Sequence, residues 1–252
     1  MKGITIEVCC GSVDDVIQAK EAGAARVELN SCLFLGGLTP SLGEIRLAKK
    51  TGMEIMAMVR PRGGGFCYTN AEFETMLADT EIFVNEGADG IVFGILKPDG
   101  TIDEKRCAQI IKLIGNKQIV FHRAIDVVPD WKSSLDVLVN LGVKRVLTSG
   151  QHTSAHYGKD VIKDMVQHAG GRIEILAGCG FNTQNIREIT EKTGVDQLHL
   201  SAFKTYNDTS AHSNQAIFFG GALYPPEDSY KITDSLMINN LISLVNEPDL
   251  YT

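Results

Sequence analysis

The sequence predicts an α/β protein, a single-domain TIM (β/α)8 barrel, on three observations. Eight short apolar runs alternate with stretches that read as helices, which favours a parallel sheet covered by helices on the outside. Eight such units fit within about 200 residues, the size of one closed barrel. Most of the apolar runs end in polar or ionisable side chains, where core strands rarely carry them unless something uses them. A doubly wound open sheet is the architectural alternative.

The elements follow in order. Ile4 to Val8 reads as the first strand, ending at Cys9-Cys10-Gly11. Ser12 is a helix N-cap, with Asp14 and Asp15 in the first turn, and Gly23 stops that helix. Ala25 to Leu29 is the second strand, followed by a loop from Asn30 to Pro40 that carries Gly36-Gly37. A helix runs from Ser41 to Gly52. Glu54 to Val59 is the third strand, and its loop Arg60-Pro61-Arg62-Gly63-Gly64-Gly65 is the most distinctive local sequence. Helix three spans Asn70 to Glu86. Strand four is Asp89 to Phe93, Lys97-Pro98-Asp99-Gly100 is a turn by composition, and helix four covers Asp103 to Ile114. Gln118 to Phe121 is strand five, and Trp131 to Leu141 the helix after it. Strand six is Arg145 to Leu147, ending in Thr148-Ser149-Gly150, and helix six covers Ala155 to His168. Strand seven is Ile173 to Ala177, ending in Gly178-Cys179-Gly180, and Asn182 caps helix seven. Strand eight, Gln197 to Leu200, ends at Ser201.

Residues 1–203 are thus assigned to the barrel and 204–252 to a C-terminal extension. In that extension Tyr206 to Ser213 reads as a loop, Ile217 to Leu223 is apolar and glycine-rich, and Asp234 to Asn246 resembles a closing helix capped by Thr233. No linker marks a second domain, so the tail is expected to pack on the barrel or on a neighbouring subunit.

Composition bounds the function. The chain has 252 residues, 44% of them hydrophobic, enough for a substantial core, and a formal net charge of -7, which argues against a general nucleic-acid surface. No apolar run approaches the roughly 20 residues a membrane span needs. The N-terminus meets Glu7 at once and lacks the apolar core of a signal peptide, so a cytoplasmic protein is expected. The six cysteines form no CxxC pair. In that compartment they are expected to be reduced thiols, not a disulfide framework or a structural zinc site.

Barrels of this type carry their sites at the carboxyl ends of the strands. Taking His122 as inward beside an outward Phe121, alternation puts Glu7 with Cys9, Glu28 with Asn30, Met58 with Arg60, and His199 with Ser201 on inner faces. Glu7, Glu28 and His122 are then candidates for proton transfer, and Arg60 for binding an anion through its planar fork. Arg62, Arg123, Thr148, Gly178, His199 and Ser201 are the substrate-binding candidates. An alternative role for Arg60 is to neutralise Glu28 or Glu7. No G-x-S-x-G motif supports a serine hydrolase. Cys9, Cys10, Cys32, Cys67 and Cys179 fall in or after strand ends, where thiolates would suit copper(I); Cys107 reads as a small core residue.

The segments Ile6-Glu7-Val8-Cys9, Arg26-Val27-Glu28-Leu29, Gly36-Gly37-Leu38-Thr39-Pro40-Ser41, Val59-Arg60-Pro61-Arg62-Gly63-Gly64, Phe121-His122-Arg123-Ala124 and Val146-Leu147-Thr148-Ser149-Gly150 resemble the CutC copper homeostasis family. The resemblance implies a cytoplasmic TIM barrel, usually a homodimer or homotetramer, linked to copper tolerance and copper(I) binding, with no settled catalytic activity. It implies metal ligands after strands one and two. Cys9 matches the first; Asn30 stands at the second, with Cys32 two residues on. The expected metal candidates are therefore Cys9 and Cys32. Three readings compete: copper(I) homeostasis through thiolates; a barrel enzyme on a small anionic or sugar-like substrate using Glu7, Glu28, Arg60 and His122; and an oligomeric scaffold without chemistry, which the stability cost of polar groups in a barrel mouth disfavours.

Overall fold

The computed structural model describes residues 3–214, 216–220 and 227–246. Eight parallel strands close into a barrel in sequential order: β1 (Thr5–Cys10), β2 (Arg26–Leu29), β3 (Glu54–Met58), β4 (Gly90–Phe93), β5 (Gln118–Phe121), β6 (Arg145–Thr148), β7 (Glu174–Gly178) and β8 (Gln197–Leu200). Helices α1 (Val13–Glu21), α2 (Leu42–Lys50), α3 (Asn70–Asn85), α4 (Glu104–Ile114), α5 (Trp131–Asn140), α6 (Ala155–Ala169) and α7 (Ile186–Thr193) connect them. The open-sheet alternative is excluded because β8 pairs with β1, placing His199 opposite Glu7.

Alternation along the strands separates two environments. The outward set, including Ile6, Val8, Val27, Leu29, Ile55, Ile91, Phe93, Phe121, Val146 and Leu198, joins buried helix residues in one large core. Met56, Met58, Val92 and Val120 form a separate small cluster, and their positions alternate with the outward set. Other inward positions are polar. Arg26 donates to Glu7 at 2.6 Å and to Gln197 at 2.6 Å. Arg145 donates to Gln197 and to Glu174, each at 2.8 Å. A charged lattice therefore fills part of the barrel, with each cation held by neighbouring oxygen atoms.

Local signals set the helix starts. Ser12 caps α1 by accepting from the Asp15 amide, as expected. Ser41 and Thr69 form reciprocal capping boxes with Glu44 and Glu72, each satisfying two backbone N–H groups that a helix leaves open. Asn182 instead holds a turn, accepting from the amides of Gln184 and Asn185, and the α-helix begins three residues later than its capping role predicts.

The extension departs further from expectation. The segment read as a loop from Tyr206 begins in β9 (Phe203–Asn207), which pairs antiparallel with β10 (Ser229–Thr233). Most of β9 is exposed, so it lacks the one-sided apolar pattern that betrays a strand. The closing helix α8 (Ser235–Asn246) is capped by Asp234, which accepts from Leu236 and Met237, and not by Thr233. Thr233 donates its amide to Asp15 of α1 at 2.6 Å. Ile238 and Leu241 of α8 are buried in the main core, so the tail packs on its own barrel. Residues 221–223 of the glycine-rich stretch lie outside the described residues.

Candidate functional site

A cavity of about 370 Å³ opens at the carboxyl ends of the strands. Cys9 of β1, Glu28 of β2 and His199 of β8 contribute to one side; Arg60 after β3 and His122 after β5 contribute to another. Met58, Phe66, Leu147 and Phe181 supply apolar lining, and Arg123, Asp126, Cys179, Gly180 and Ser201 also border it. Inward glycines make this room. A methyl group on Gly94 would lie 2.4 Å from the His122 ring, and one on Gly178 would lie 2.6 Å from Leu147 and 3.3 Å from His199.

On the β1, β2 and β8 side, Cys9 Sγ, a Glu28 oxygen and a His199 ring nitrogen all lie within 4.8 Å of one another. His199 Nδ1 meets Glu7 Oε1 at 2.8 Å, which leaves Nε2 toward Glu28 Oε2 at 3.8 Å. Asn30 ties the group together, donating to Glu28 Oε2 at 2.9 Å and to Cys9 Sγ at 3.6 Å. Glu28 Oε1 has no hydrogen-bond partner among the described residues.

Burial and charge set the protonation. Burial alone would make the His199 ring neutral, but the Glu28 charge and hydrogen bonds to Cys9 and Glu7 hold its pKa well above the ordinary imidazole value. Burial would likewise raise Glu7. The His199 hydrogen bond and the Arg26, His199 and Arg145 charges outweigh it and bring Glu7 down to about 2. Glu28 goes the other way: burial raises its pKa, and the opposing His199 charge does not cancel the effect. Burial also raises the Cys9 thiol despite its contact with His199.

On the β3 and β5 side, Arg60 is buried and its guanidinium is spent on backbone. Nη1 donates to the carbonyls of Leu35 and Gly37, and Nη2 to that of Gly64, each at 2.9 Å. Gly37 and Gly64 have φ of 84° and 80°, a conformation that disfavours other residues. The two glycine-bearing loops and Arg60 thus form one unit. Its cation sits 5.4 Å from the Phe66 ring centroid, and Phe66 lies 4.8 Å from the His122 ring. His122 Nδ1 accepts from the Ala124 amide at 3.1 Å, so in the neutral ring Nε2 carries the proton. Burial, reinforced by the Arg60 charge, pushes the His122 pKa down to about 3.

The structure brings Cys9, Glu28, Arg60, His122, Arg123, His199 and Ser201 to one cavity. It sends five other candidates elsewhere. Glu7 lies beneath the cavity lining, consumed by Arg26 and His199. Arg62 turns away to pair with Glu72 at 2.6 Å. Thr148 shares the outward parity of Val146 and donates to Asp126 at 2.6 Å. Gly178 acts as space for neighbouring side chains, and Cys32 is exposed outside the cavity lining. Arg60 makes no ion pair with Glu7 or Glu28, because three carbonyls occupy its terminal nitrogens.

Asp126, the acid that closes the polar stretch after strand five, was given no role by the sequence reading. It accepts from Arg123, Thr148, Ser149 and Gln151 and so fixes the β5 and β6 loops to each other. Its position three residues after Arg123, in a 3₁₀ turn spanning Arg123–Val127, was the available signal.

The CutC family model matches residues 4–204. A family protein CutC of Treponema denticola is 56% identical over 233 residues, covering 92% of this chain and 95% of that protein. A copper homeostasis protein cutC homolog of Homo sapiens is 38% identical over 240 residues, covering 95% and 88%. The solved structure of a copper homeostasis protein CutC from Streptococcus agalactiae superposes with a TM-score of 0.75 at 36% identity, covering 78% of this chain and 97% of that one. A thiamine phosphate pyrophosphorylase from Pyrococcus furiosus, at 14% identity and a TM-score of 0.58, shares the fold alone. With the family model spanning the whole barrel and relatives aligned across nearly the full chain, this protein belongs to the CutC copper homeostasis family.

Proposed function

We propose that the chain serves copper homeostasis in the cytoplasm by taking one copper(I) ion at the barrel mouth, through Cys9 Sγ and His199 Nε2. The observation that carries this reading is the Cys9–Glu28–His199 cluster with Glu7 behind it. A thiolate and an imidazole are the soft donors copper(I) prefers at low coordination number. A carboxylate on the far ring nitrogen is the usual device for fixing a histidine ligand's orientation. Glu28 then supplies an oxygen nearby, with Oε1 unpartnered. This assignment keeps Cys9 as a metal candidate and replaces Cys32 with His199.

Both donors hold protons more firmly than usual in the metal-free protein. Copper must displace them, so its affinity should rise with pH, releasing up to about two protons per ion. The decisive experiment is an anaerobic competition titration of the purified protein against a chromophoric copper(I) chelator. One equivalent should bind, and Cys9→Ala and His199→Ala should each weaken binding by at least about tenfold. Retention of wild-type affinity by the Cys9→Ala protein would remove this site.

The assembly proposed alongside is a homodimer or homotetramer. Exposed Leu236 and Met237 on α8, with Tyr206 and Tyr230 on the hairpin, offer apolar surface for a second copy. Light scattering at micromolar concentration should return a multiple of the monomer mass; the monomer mass alone would overturn it.

A further inference from the structure

The copper reading leaves the β3 and β5 side of the cavity unused, yet that side is built for a ligand. Arg60 is buried at 6% exposure and His122 at 4%. The Arg60 Nε and His122 Nε2 groups have no hydrogen-bond partner among the described residues. A buried N–H donor left unpaired loses its hydration with no return, so two of them on residues that line one cavity call for an acceptor. Charge makes the same demand. Arg60 bonds to three neutral carbonyls through its terminal nitrogens, the neighbouring Tyr68 hydroxyl is neutral, and no carboxylate pairs with it among the described residues. The carboxylates around it are committed: Glu7 to Arg26 and His199, Asp126 to Arg123, and Glu72 to Arg62.

We propose that Arg60 Nε and His122 Nε2 receive the oxyanion of a small hydroxylated organic carboxylate, with Glu28 Oε1 accepting one of its hydroxyl groups. One uncompensated guanidinium matches a monoanion. A phosphate dianion would bring excess negative charge toward Glu28 and Glu7. The cavity of about 370 Å³ holds roughly a dozen water-sized volumes, the scale of a three- to six-carbon acid. Met58, Phe66 and Leu147 give such a ligand apolar surface for its carbon chain. This inference goes beyond the copper site: both donors lie outside the Cys9–Glu28–His199 cluster, and Glu28 is the one residue the two readings share.

The test uses the whole protein, stripped of metal and kept in a chelator, with D-glycerate and D-gluconate as probes and inorganic phosphate as the comparison. At least one of the two acids should give a saturable rise in Tm and a measurable Kd, with phosphate at least tenfold weaker. His122→Phe keeps a ring beside Phe66 and should lose at least tenfold in affinity for that acid; Arg60→Lys, which keeps the charge and loses the fork, should do the same. A second readout needs no variant: in the wild-type ¹⁵N spectrum the acid should shift the His122 Nε2 resonance. Absence of binding by both acids, equal or stronger binding of phosphate, or an unmoved His122 resonance at saturation would each overturn the proposal. Undiminished affinity in folded His122→Phe protein would overturn it as well.

Discussion

Two histidines stand at the same barrel mouth, one holding a positive charge and the other neutral. His199 lies between Glu7 and Glu28 and keeps its proton well above the ordinary imidazole range. His122 lies against Phe66 and near Arg60, with Nδ1 committed to a backbone amide, and stays neutral down to about pH 3. Burial disfavours the charged form of both; the sign of the neighbouring charge separates them. One cavity thus combines a side rich in protons and soft donors with a side whose buried N–H groups have no partner among the described residues. Residue type alone says little about a barrel mouth until the partners of each ring are known.

The largest effect should come from removing the carboxylate that holds the first histidine. Glu7→Leu strands Arg26, which is buried, and takes away the partner of His199 Nδ1. Breaking a buried pair from one side is typically destabilising by about 3–5 kcal/mol. Urea unfolding at neutral pH should show a loss of that size. A loss below about 1 kcal/mol would mean that the lattice beneath the cavity rearranges freely, and the contrast between the histidines would need another cause.

The pH dependence of stability sharpens the contrast, because the two rings contribute with opposite sign. His122 has a lowered folded pKa. Its contribution is complete above the unfolded value, about 6.5, and is lost as pH falls from there toward 3. His199 has a raised folded pKa, so its contribution is complete below about 6.5 and is lost as pH rises through the folded value. Wild-type stability should therefore contain an acid-side loss, with a slope of up to about 1.4 kcal/mol per pH unit, that His122→Phe lacks. The deficit of His199→Gln relative to wild type should shrink on the alkaline side. Parallel pH profiles for wild type and His122→Phe would show that the ring is not held neutral.

Arg60→Lys should have a smaller effect on the fold, about 1–3 kcal/mol, because one ammonium cannot reach three carbonyls in the fork geometry. Calorimetry measures it, and hydrogen exchange should localise the loosening to the loops around Gly37 and Gly64. Protection lost uniformly over the barrel would contradict the idea that Arg60 clamps those two loops.

The barrel was legible because its signal repeats: short apolar strands with polar or ionisable ends alternate with helices, and each helix carries its own cap or stop. The inward face was legible for the same reason, since β1, β2, β3, β5 and β8 each follow the parity deduced from His122 beside Phe121. Pairings across the barrel were not. Strand alternation puts Glu7 inward but cannot tell that it meets Arg26 instead of the cavity, because that depends on register and depth. Thr148 closes its strand on the outward parity, which a strand-end argument does not separate from the inward one. β9 was missed because its exposed faces carry no apolar alternation. The donor role proposed for His199 was not legible, because the partner that orients its ring, Glu7, lies 192 positions away.

Cys32 supplies the smallest effect and the sharpest separation of the metal donors from their sequence neighbours. It is exposed, stands outside the cavity lining, and adopts a left-handed conformation with φ of 47°. A side chain there is disfavoured, by roughly 1–2 kcal/mol in regular left-handed geometry. Cys32→Gly should therefore raise stability by about 0.5–1 kcal/mol, while Cys32→Ala should change it by less than about 0.5 kcal/mol. Both proteins should retain the full copper(I) affinity if, as proposed, the donors are Cys9 and His199 and not Cys32. Loss of copper binding in the glycine and alanine proteins alike would reinstate the two-cysteine site and displace His199 from the donor set. Loss in only one of them would point instead to the conformation of the loop.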